Sequence, residues 1–412
     1  MIQYKKHTLN NGLTVICNTD KSTTFACFNI LYKVGSRNED PDRTGFAHLF
    51  EHLMFSGSEH VEDYDRTIEL SGGENNAFTT NDFTNYYITL PAANIETAFH
   101  LESDRMAWLN INQNSLDIQK HVVIEEFKER CINKPYGDIW LKLKPLVYKV
   151  HPYQWPTIGK TPDHIANATL EDVKNFYKKF YAPNNAIIAV SGAVEAERVF
   201  ELAEKWFGDI PASNIKLQDI PTEPEQQTEQ RIILDNNNVP ANALYKVFHM
   251  PSRTERNYYV SDLISDILSE GDSSRLITHL VKERNIFSSI DAYITGDMDA
   301  GLFIFCGKLA DGIEYDEAEE AINQEIQLFI NTPIPQREFE KIIHKREAQL
   351  CFGEINYQNK AANLAFFEML GNIELINAEK EVYENVTVEE MQNFAQHLFR
   401  KENCTTLHYK KR

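Results

Sequence analysis

Apolar and polar residues alternate along the chain in a pattern of short strands and longer helices. Residues 12–17 and 25–32 are rich in apolar residues and are separated by a polar turn, which is typical of two β-strands. Residues 44–55 are largely apolar and are followed by Ser56 and Gly57, so they predict a buried helix that ends there. Further strands are predicted at 76–78, 86–90 and 186–190, and further helices at 116–131 and 169–181.

This pattern breaks down between residues 210 and 231, where prolines and the polar run 225–230 occur. Such sequences commonly connect domains. We therefore expect an N-terminal domain over 1–215, a linker over 216–230 and a C-terminal domain over 231–412. The strand and helix that end at Gly57 have a similar counterpart ending near Gly271, which predicts an internal duplication of one domain of mixed helix and sheet.

The composition is that of a packed protein with an acidic surface. The 412 residues are 42% hydrophobic and carry a formal net charge of −20, so the chain repels nucleic acid and anionic membranes. The first residues lack the apolar run of a secretory signal, and no stretch approaches the ~20 apolar residues of a membrane helix. We expect a cytoplasmic protein with neither nucleic acid nor membrane as partner. Six cysteines without a C-x-x-C pair indicate reduced thiols that are not metal ligands.

The candidate chemistry lies in the predicted helix at 44–55, which contains the pattern H-x-x-E-H. His48 and His52 are four residues apart, so both imidazoles project from one helix face at a spacing that can hold a single zinc ion. Glu51 lies at the edge of that face, where a general base for a metal-bound water is expected. Two histidines and a carboxylate in an apolar helix are costly to bury unless they are paired or bind a cation.

Two histidines leave a catalytic zinc site one protein ligand short. The candidate third ligand is a carboxylate in the second predicted helix, where Glu125, Glu126 and Glu129 are all available. Each of the three could instead be an ordinary solvated residue, and spacing alone does not choose among them.

Residues 45–58 closely resemble the signature of the pitrilysin (insulinase-like) zinc peptidases, a family that includes the mitochondrial processing peptidases. The resemblance continues through 72–79, 122–126, 181–186 and, more weakly, 273–276 and 299–303. It implies an α+β fold of two similar domains, each a largely antiparallel sheet with helices packed on one side, which together form half of a clamshell. The second domain is expected to lack a metal site.

The resemblance also implies roles for individual residues. His48, His52 and Glu126 would bind one Zn²⁺ per chain, and Glu51 would be the general base. Asn76, Ala77 and Phe78 match the family's edge strand, whose backbone pairs with an extended peptide substrate.

The sequence departs from the family pattern at two places. Gln119 replaces a glutamate that often supports the metal ligands from seven residues before the metal-binding one. An arginine and a tyrosine that family members use to hold the substrate carbonyl are replaced by Val281 and Ser288. The resemblance therefore implies a dimer enclosing a chamber, either a heterodimer with a related subunit that supplies the missing Arg and Tyr or a homodimer of this chain.

By the spacing between Gly57 and Gly271, the second domain has Asp262, Ser265 and Asp266 at the positions of the motif, and these cannot rebuild the zinc site. The chain is thus predicted to be a zinc-dependent endopeptidase that hydrolyses peptides or unfolded polypeptide segments. A catalytically idle, zinc-binding scaffold subunit of a larger peptidase assembly is the alternative, and a zinc-free peptide-binding module is a third hypothesis.

Overall fold

A computed structural model describes residues 1–215, 219–236 and 238–412. Within them, the strands are β1 Lys5–Thr8, β2 Thr14–Thr19, β3 Phe25–Tyr32, β4 Glu74–Thr79, β5 Thr84–Pro91, β6 Ala186–Gly192, β7 Gln230–Asn236, β8 Ala243–Met250, β9 Phe287–Ile294, β10 Gly301–Leu309 and β11 Cys404–Lys411. The helices are α1 Phe46–Leu53, α2 Tyr64–Leu70, α3 Ile95–Trp108, α4 Gln113–Phe127, α5 Ile139–Val147, α6 Pro162–Ala166, α7 Leu170–Phe180, α8 Ala196–Phe207, α9 Arg256–Ser269, α10 Tyr315–Asn331, α11 Gln336–Gly353, α12 Tyr357–Met369, α13 Leu375–Glu384 and α14 Val388–Leu398.

The chain forms two compact units that are not continuous in sequence. The first unit comprises 1–130, 155–220 and 351–377, and the second comprises 131–154, 221–350 and 378–412. Residues 131–154 belong to the second unit, although they fall within the predicted domain 1–215. Residues 351–377 belong to the first unit, although they fall within the predicted domain 231–412. Residues 216–218 of the predicted linker lie outside the described residues.

The first unit contains a six-stranded sheet in the order β1-β2-β6-β3-β5-β4. All neighbouring pairs are antiparallel except β2 and β6. Alternate residues of β3, namely Ala26, Phe28, Ile30 and Tyr32, are buried in one apolar core with residues of α1, α3 and α8. This period of two is what places one sheet face against the helices.

The second unit contains a five-stranded sheet in the order β7-β11-β8-β10-β9. Only the pair of β7 and β11 is parallel. If β1 is set aside, both sheets have the same order of first, fifth, second, fourth and third strand along the chain, as expected for a duplicated domain. The predicted fold class of mixed helices and largely antiparallel sheets is confirmed.

Each sheet also has a helix on its second face. In the first unit, α12 contacts β2, β3 and β6. There Cys27 and Leu31, which alternate with the core residues of β3, are buried as well. In the second unit, Ile139, Leu143 and Val147 of α5 share a core with Val247 and Ile304 of the sheet. Both faces of each sheet are therefore covered.

The predicted helices and strands have clear local causes. Thr169 caps α7, since its hydroxyl accepts a hydrogen bond from Asp172 N at 3.2 Å. The predicted helix at 116–131 is α4, which continues as a π-helical turn over Lys128–Asn133. Among the described residues, no helix is both long and apolar enough to cross a membrane.

Candidate metal centre

The helix that carries the motif, α1, begins at a glycine that no other residue could replace without strain. Gly45 has φ of 87°, and a Cβ added there would lie 2.8 Å from the backbone oxygen of Ile158. The carboxylate of Glu39 accepts hydrogen bonds from Gly45 N at 2.9 Å and Ala47 N at 2.8 Å. A carboxyl group at this end satisfies backbone donors that have no partner within the helix.

Glu39 is buried beside α1 and also accepts a hydrogen bond from Trp155 Nε1 at 3.1 Å. Burial raises the pKa of Glu39 to about 8, against the opposing effect of these hydrogen bonds. The carboxyl group is therefore a fixed part of the core next to the motif helix.

The histidines of α1 meet the carboxylate of α4 as the resemblance implies. Glu126 Oε2 lies 3.6 Å from His48 Nε2 and 3.4 Å from His52 Nε2. The possible ligand atoms of these three residues all lie within 4.8 Å of one another. The two rings are perpendicular, with their centroids 4.8 Å apart. Three side chains from two helices thus converge on one point.

His48 is only 8% exposed, and burial lowers its pKa to about 3, with His52 and Arg130 adding to the effect. The imidazole is therefore neutral at pH 7, the form that binds a metal ion. His48 Nδ1 is buried without a hydrogen-bond partner among the described residues. No hydrogen bond from that nitrogen to a described residue therefore holds the ring in another orientation. Two imidazoles and a carboxylate are one of the donor sets of catalytic zinc sites, and His48, His52 and Glu126 fit that ion.

Glu51 lies on the same helix, half-buried. Its Oε2 accepts a hydrogen bond from the Thr79 hydroxyl at 2.5 Å. Burial raises the pKa of Glu51, while Thr79 and His52 act in the opposite direction. A raised pKa makes the Glu51 carboxylate a stronger base, which favours the acceptance of a proton.

Arg130 holds the other oxygen of Glu126, with Nη2 at 2.6 Å from Oε1. This leaves Oε2 directed at the two histidines. Sequence analysis did not propose Arg130, Thr79 or Glu39. The spacing of four residues between Glu126 and Arg130 could have predicted their ion pair. Thr79 ends the segment 72–79 that resembles the family, whereas Glu39 lies in a loop with no recognisable sequence pattern.

The other carboxylates considered as third ligand lie elsewhere on α4 and its π-helical extension. Glu125 is exposed and pairs with Lys128 at 2.7 Å, and Glu129 is exposed. Gln119 is half-buried two helical turns before Glu126. The structure therefore brings Glu126, and neither of the other two glutamates, to the histidines.

The predicted substrate-binding residues lie on β4, the last strand of the first sheet. Among the described residues, Asn76, Ala77 and Phe78 pair with β5 on one side only, and Phe78 is 41% exposed. Ala77 N donates a hydrogen bond to Asn76 Oδ1 at 2.8 Å. The strand has the unpaired edge that a bound peptide would need, and binding there stays a prediction.

In the second unit, an internal ion pair occupies the positions that correspond to the motif. Arg346 Nη2 lies 3.0 Å from Asp262 Oδ2 and 2.5 Å from Asp266 Oδ2. Burial raises the pKa of Asp266 to about 6, although Arg346 opposes the shift. Ser265 bonds to the backbone oxygen of Asp262, so no metal-binding group is added.

The positions expected for Arg and Tyr have ordinary structural roles. Val281 is half-buried against the core of the second unit, and the Ser288 hydroxyl donates to Lys308 O at 3.2 Å.

Two family models match this chain. The model described as insulinase (peptidase family M16) matches 14–135, which includes the motif helix and Glu126. The model described as the peptidase M16 inactive domain matches 167–346. The chain belongs to the M16 peptidase family. The family resemblance seen in the sequence is thereby confirmed, and the second of the two models covers the part of this M16 chain where Arg and Tyr are replaced.

Two relatives and one solved structure resemble the M16 chain over half of its length or more. The zinc protease PqqE of Helicobacter pylori is 28% identical over 99% of the chain and 93% of that protein. The beta subunit of the mitochondrial-processing peptidase of Saccharomyces cerevisiae is 29% identical over 50% of the chain and 44% of that protein. A crystal structure of a protease from Helicobacter pylori superimposes with a TM-score of 0.94, at 27% identity over 100% of both chains.

Proposed function

We propose that this chain is the zinc-binding subunit of a metalloendopeptidase that hydrolyses peptides or unfolded polypeptide segments. The observation that carries the proposal is the convergence of His48, His52 and Glu126 on one point with Glu51 on the same helix. The relatives named as zinc proteases support the same class of reaction.

His48, His52 and Glu126 would hold the zinc ion, which when bound activates water and polarises the scissile carbonyl. Glu51 accepts a proton from the attacking water, whose oxygen bonds to the carbonyl carbon. Glu51 then donates that proton to the leaving amine nitrogen as the C–N bond breaks. The edge strand β4 would orient the peptide by main-chain hydrogen bonds, so the selectivity for side chains would be broad.

The proposal includes a second subunit. Val281 and Ser288 provide neither a guanidinium nor a phenol for the developing oxyanion. Loss of such a donor costs about 3–4 kcal/mol of transition-state stabilisation. A related chain that carries Arg and Tyr would restore it, and the yeast relative is by name one subunit of a peptidase.

The test compares the chain alone with the chain co-purified with its native partner, using a quenched fluorescent peptide with and without chelator. We expect chelator-sensitive hydrolysis only in the co-purified complex. Glu51→Gln should abolish that hydrolysis while zinc stays at one per chain by elemental analysis, and Glu125→Gln, at an exposed glutamate, should change neither. Hydrolysis that persists in Glu51→Gln would refute the role of Glu51, and robust turnover by the chain alone would refute the need for a partner.

A zinc-binding scaffold subunit is the second candidate function, and the match to the inactive-domain model favours it. It predicts stoichiometric zinc in the complex together with hydrolysis that survives Glu51→Gln, because the catalytic residues would then lie in the partner.

A further inference from the structure

A polar cavity of about 630 Å³ lies in the second unit, away from the motif helix in sequence. It is an open cavity lined by residues of strands β7, β8 and β11 and of helices α10 and α14. Nothing in the proposed peptidase chemistry uses this cavity, yet its walls contain buried charged groups.

The innermost of these groups is Lys246. It lies on β8 between Leu244 and Phe248, two residues of the apolar core, and only 5% of its side chain is exposed. Its nearest carboxylate is Glu319, with Nζ 3.7 Å from Oε2, which is beyond hydrogen-bond distance. Lys246 Nζ makes no hydrogen bond to any residue that the structure describes, although a buried ammonium group has three donors to satisfy.

Glu319 compensates Lys246 only in part, because other groups also use its carboxylate. Arg231 donates to its two oxygens at 2.5 and 3.0 Å, and His408 Nε2 contacts the first of them. Burial would raise the pKa of Glu319, but the bonds with His408 and Arg231 lower it to about 2. A single negative charge is therefore shared among several donors.

A second unsatisfied donor lines the same cavity. Arg400 Nε is buried and has no hydrogen-bond partner within the described part of the chain. The other nitrogens of that guanidinium are engaged, with Nη2 at 2.5 Å from Glu225 Oε1 and Nη1 at 3.1 Å from His397 Nδ1. Arg400 thus lines the cavity as a cation, while its unsatisfied Nε–H is covered by protein atoms.

The charge balance of the cavity is opposite to that of the whole chain. Its described walls contain four cationic side chains, Arg231, Lys246, Arg400 and Lys401, against the two carboxylates of Glu229 and Glu319, and Glu225 pairs with Arg400 from outside the walls. The whole chain carries a formal charge of −20. A positive cavity in so acidic a protein attracts anions locally.

We propose that this cavity binds a small organic anion, whose phosphate or carboxylate group accepts a hydrogen bond from Lys246 and is attracted by the positive charge of Arg400. Phe248, Ile326 and Phe399 provide apolar contact for the rest of such a ligand, and the side-chain amides of Asn323, Gln327 and Gln396 can bond its polar groups. The site is separate from the peptidase chemistry and does not depend on it.

The test uses the full chain with sodium phosphate and sodium citrate as probes, at ionic strength matched by sodium chloride. Both anions stabilise proteins unspecifically, so the comparison with variants decides. We expect calorimetric binding of at least one probe, and Lys246→Met should weaken it about tenfold or more. Lys308→Met, at an exposed lysine of the neighbouring strand β10, should leave it unchanged.

Binding of phosphate alone would identify a phosphate ester as the natural class, and binding of citrate alone a carboxylate. Arg400→Gln provides a second variant if Lys246→Met fails to fold, and it should also weaken binding. Absence of binding by both probes, or equal binding in the wild type and both cavity variants, would overturn the proposal.

Discussion

Glu126 has different partners on its two oxygens, and this determines how the candidate site is assembled. Oε1 is held by Arg130, whereas Oε2 faces both histidine rings. Its neighbour Glu125 differs by one position on the helix and by about 100° in direction, so it points to solvent. The direction in which the side chain leaves the helix therefore distinguishes the candidate ligand Glu126 from the surface residue Glu125, since both are glutamates.

Replacement of these two neighbours provides a matched test of the metal site. Glu126→Gln should reduce zinc affinity by at least 10–100-fold, since even residues that support metal ligands have effects of about that size. Glu125→Gln should leave affinity unchanged. Competition with a chromophoric chelator measures both, and equal zinc affinity in the two variants would contradict the assignment.

The sequence allowed part of this site to be predicted at the residue level. The positions of His48, Glu51 and His52 on one helix follow from local periodicity, which a single sequence displays directly. The choice of Glu126 over Glu125 and Glu129 depends on how α4 is rotated against α1, and only the family resemblance supplied it. The hydrogen bonds of Glu39 and Thr79 join different segments of the chain, so no local sequence pattern predicts them.

Among the elements, strand β4 and helix α1 depend on each other. Thr79, the last residue of β4, donates to Glu51, and Asn76 to Phe78 of the same strand form the free sheet edge. The strand proposed to bind the peptide thus also holds the proposed base. The sequence pattern predicted a strand here, and the family resemblance predicted that it lies at the sheet edge. Neither predicted the hydrogen bond between Thr79 and Glu51.

Removal of the Thr79 hydroxyl should change the pH dependence of hydrolysis. The hydrogen bond stabilises the ionised form of Glu51, so Thr79→Val should raise the pKa of Glu51 further. Because a general base must be ionised to accept a proton, the acid limb of the kcat/KM profile should move to higher pH. Thr79→Ser retains the hydroxyl and should behave as the wild type, and a profile unchanged in Thr79→Val would contradict this account.

The start of α1 should be equally sensitive, for steric reasons. Gly45→Ala places a Cβ 2.8 Å from the Ile158 backbone oxygen in addition to a left-handed backbone, whereas Gly312 has φ of 83° with open space around it. The backbone conformation alone costs about 1–2 kcal/mol. Gly45→Ala should therefore lower the Tm more than Gly312→Ala, as measured by calorimetry. Equal shifts would show that the contact is relieved without cost.

On the scale of the whole molecule, the two units have sheets with the same strand order but different side chains on the corresponding helices α1 and α9. In the first unit, His48 and His52 face a carboxylate, and in the second, Asp262 and Asp266 face the guanidinium of Arg346. The second unit thus contains its own fixed cation. One zinc per chain is the stoichiometry that this difference predicts.

The ion pairs of Arg346 should matter for stability. Arg346→Leu leaves buried Asp262 and half-buried Asp266 without their cation, although Tyr383 still donates to Asp262, and loss of one partner of a buried pair costs about 3–5 kcal/mol. Lys345→Ala removes an exposed pair with Glu270 and should cost about 0–1 kcal/mol. Urea unfolding followed by fluorescence measures both. A similar stability of the two variants would show that Asp262 and Asp266 are solvated.

The cover that α12 provides for the first sheet has a consequence for dissecting the chain. A fragment ending at residue 215 would contain every strand of that sheet but not α12, and would present Cys27, Leu31 and Ile187 to water. Exposed apolar β-structure of this kind promotes aggregation. A recombinant fragment intended to isolate the histidine motif would therefore need residues 351–377 supplied in trans or grafted by a linker.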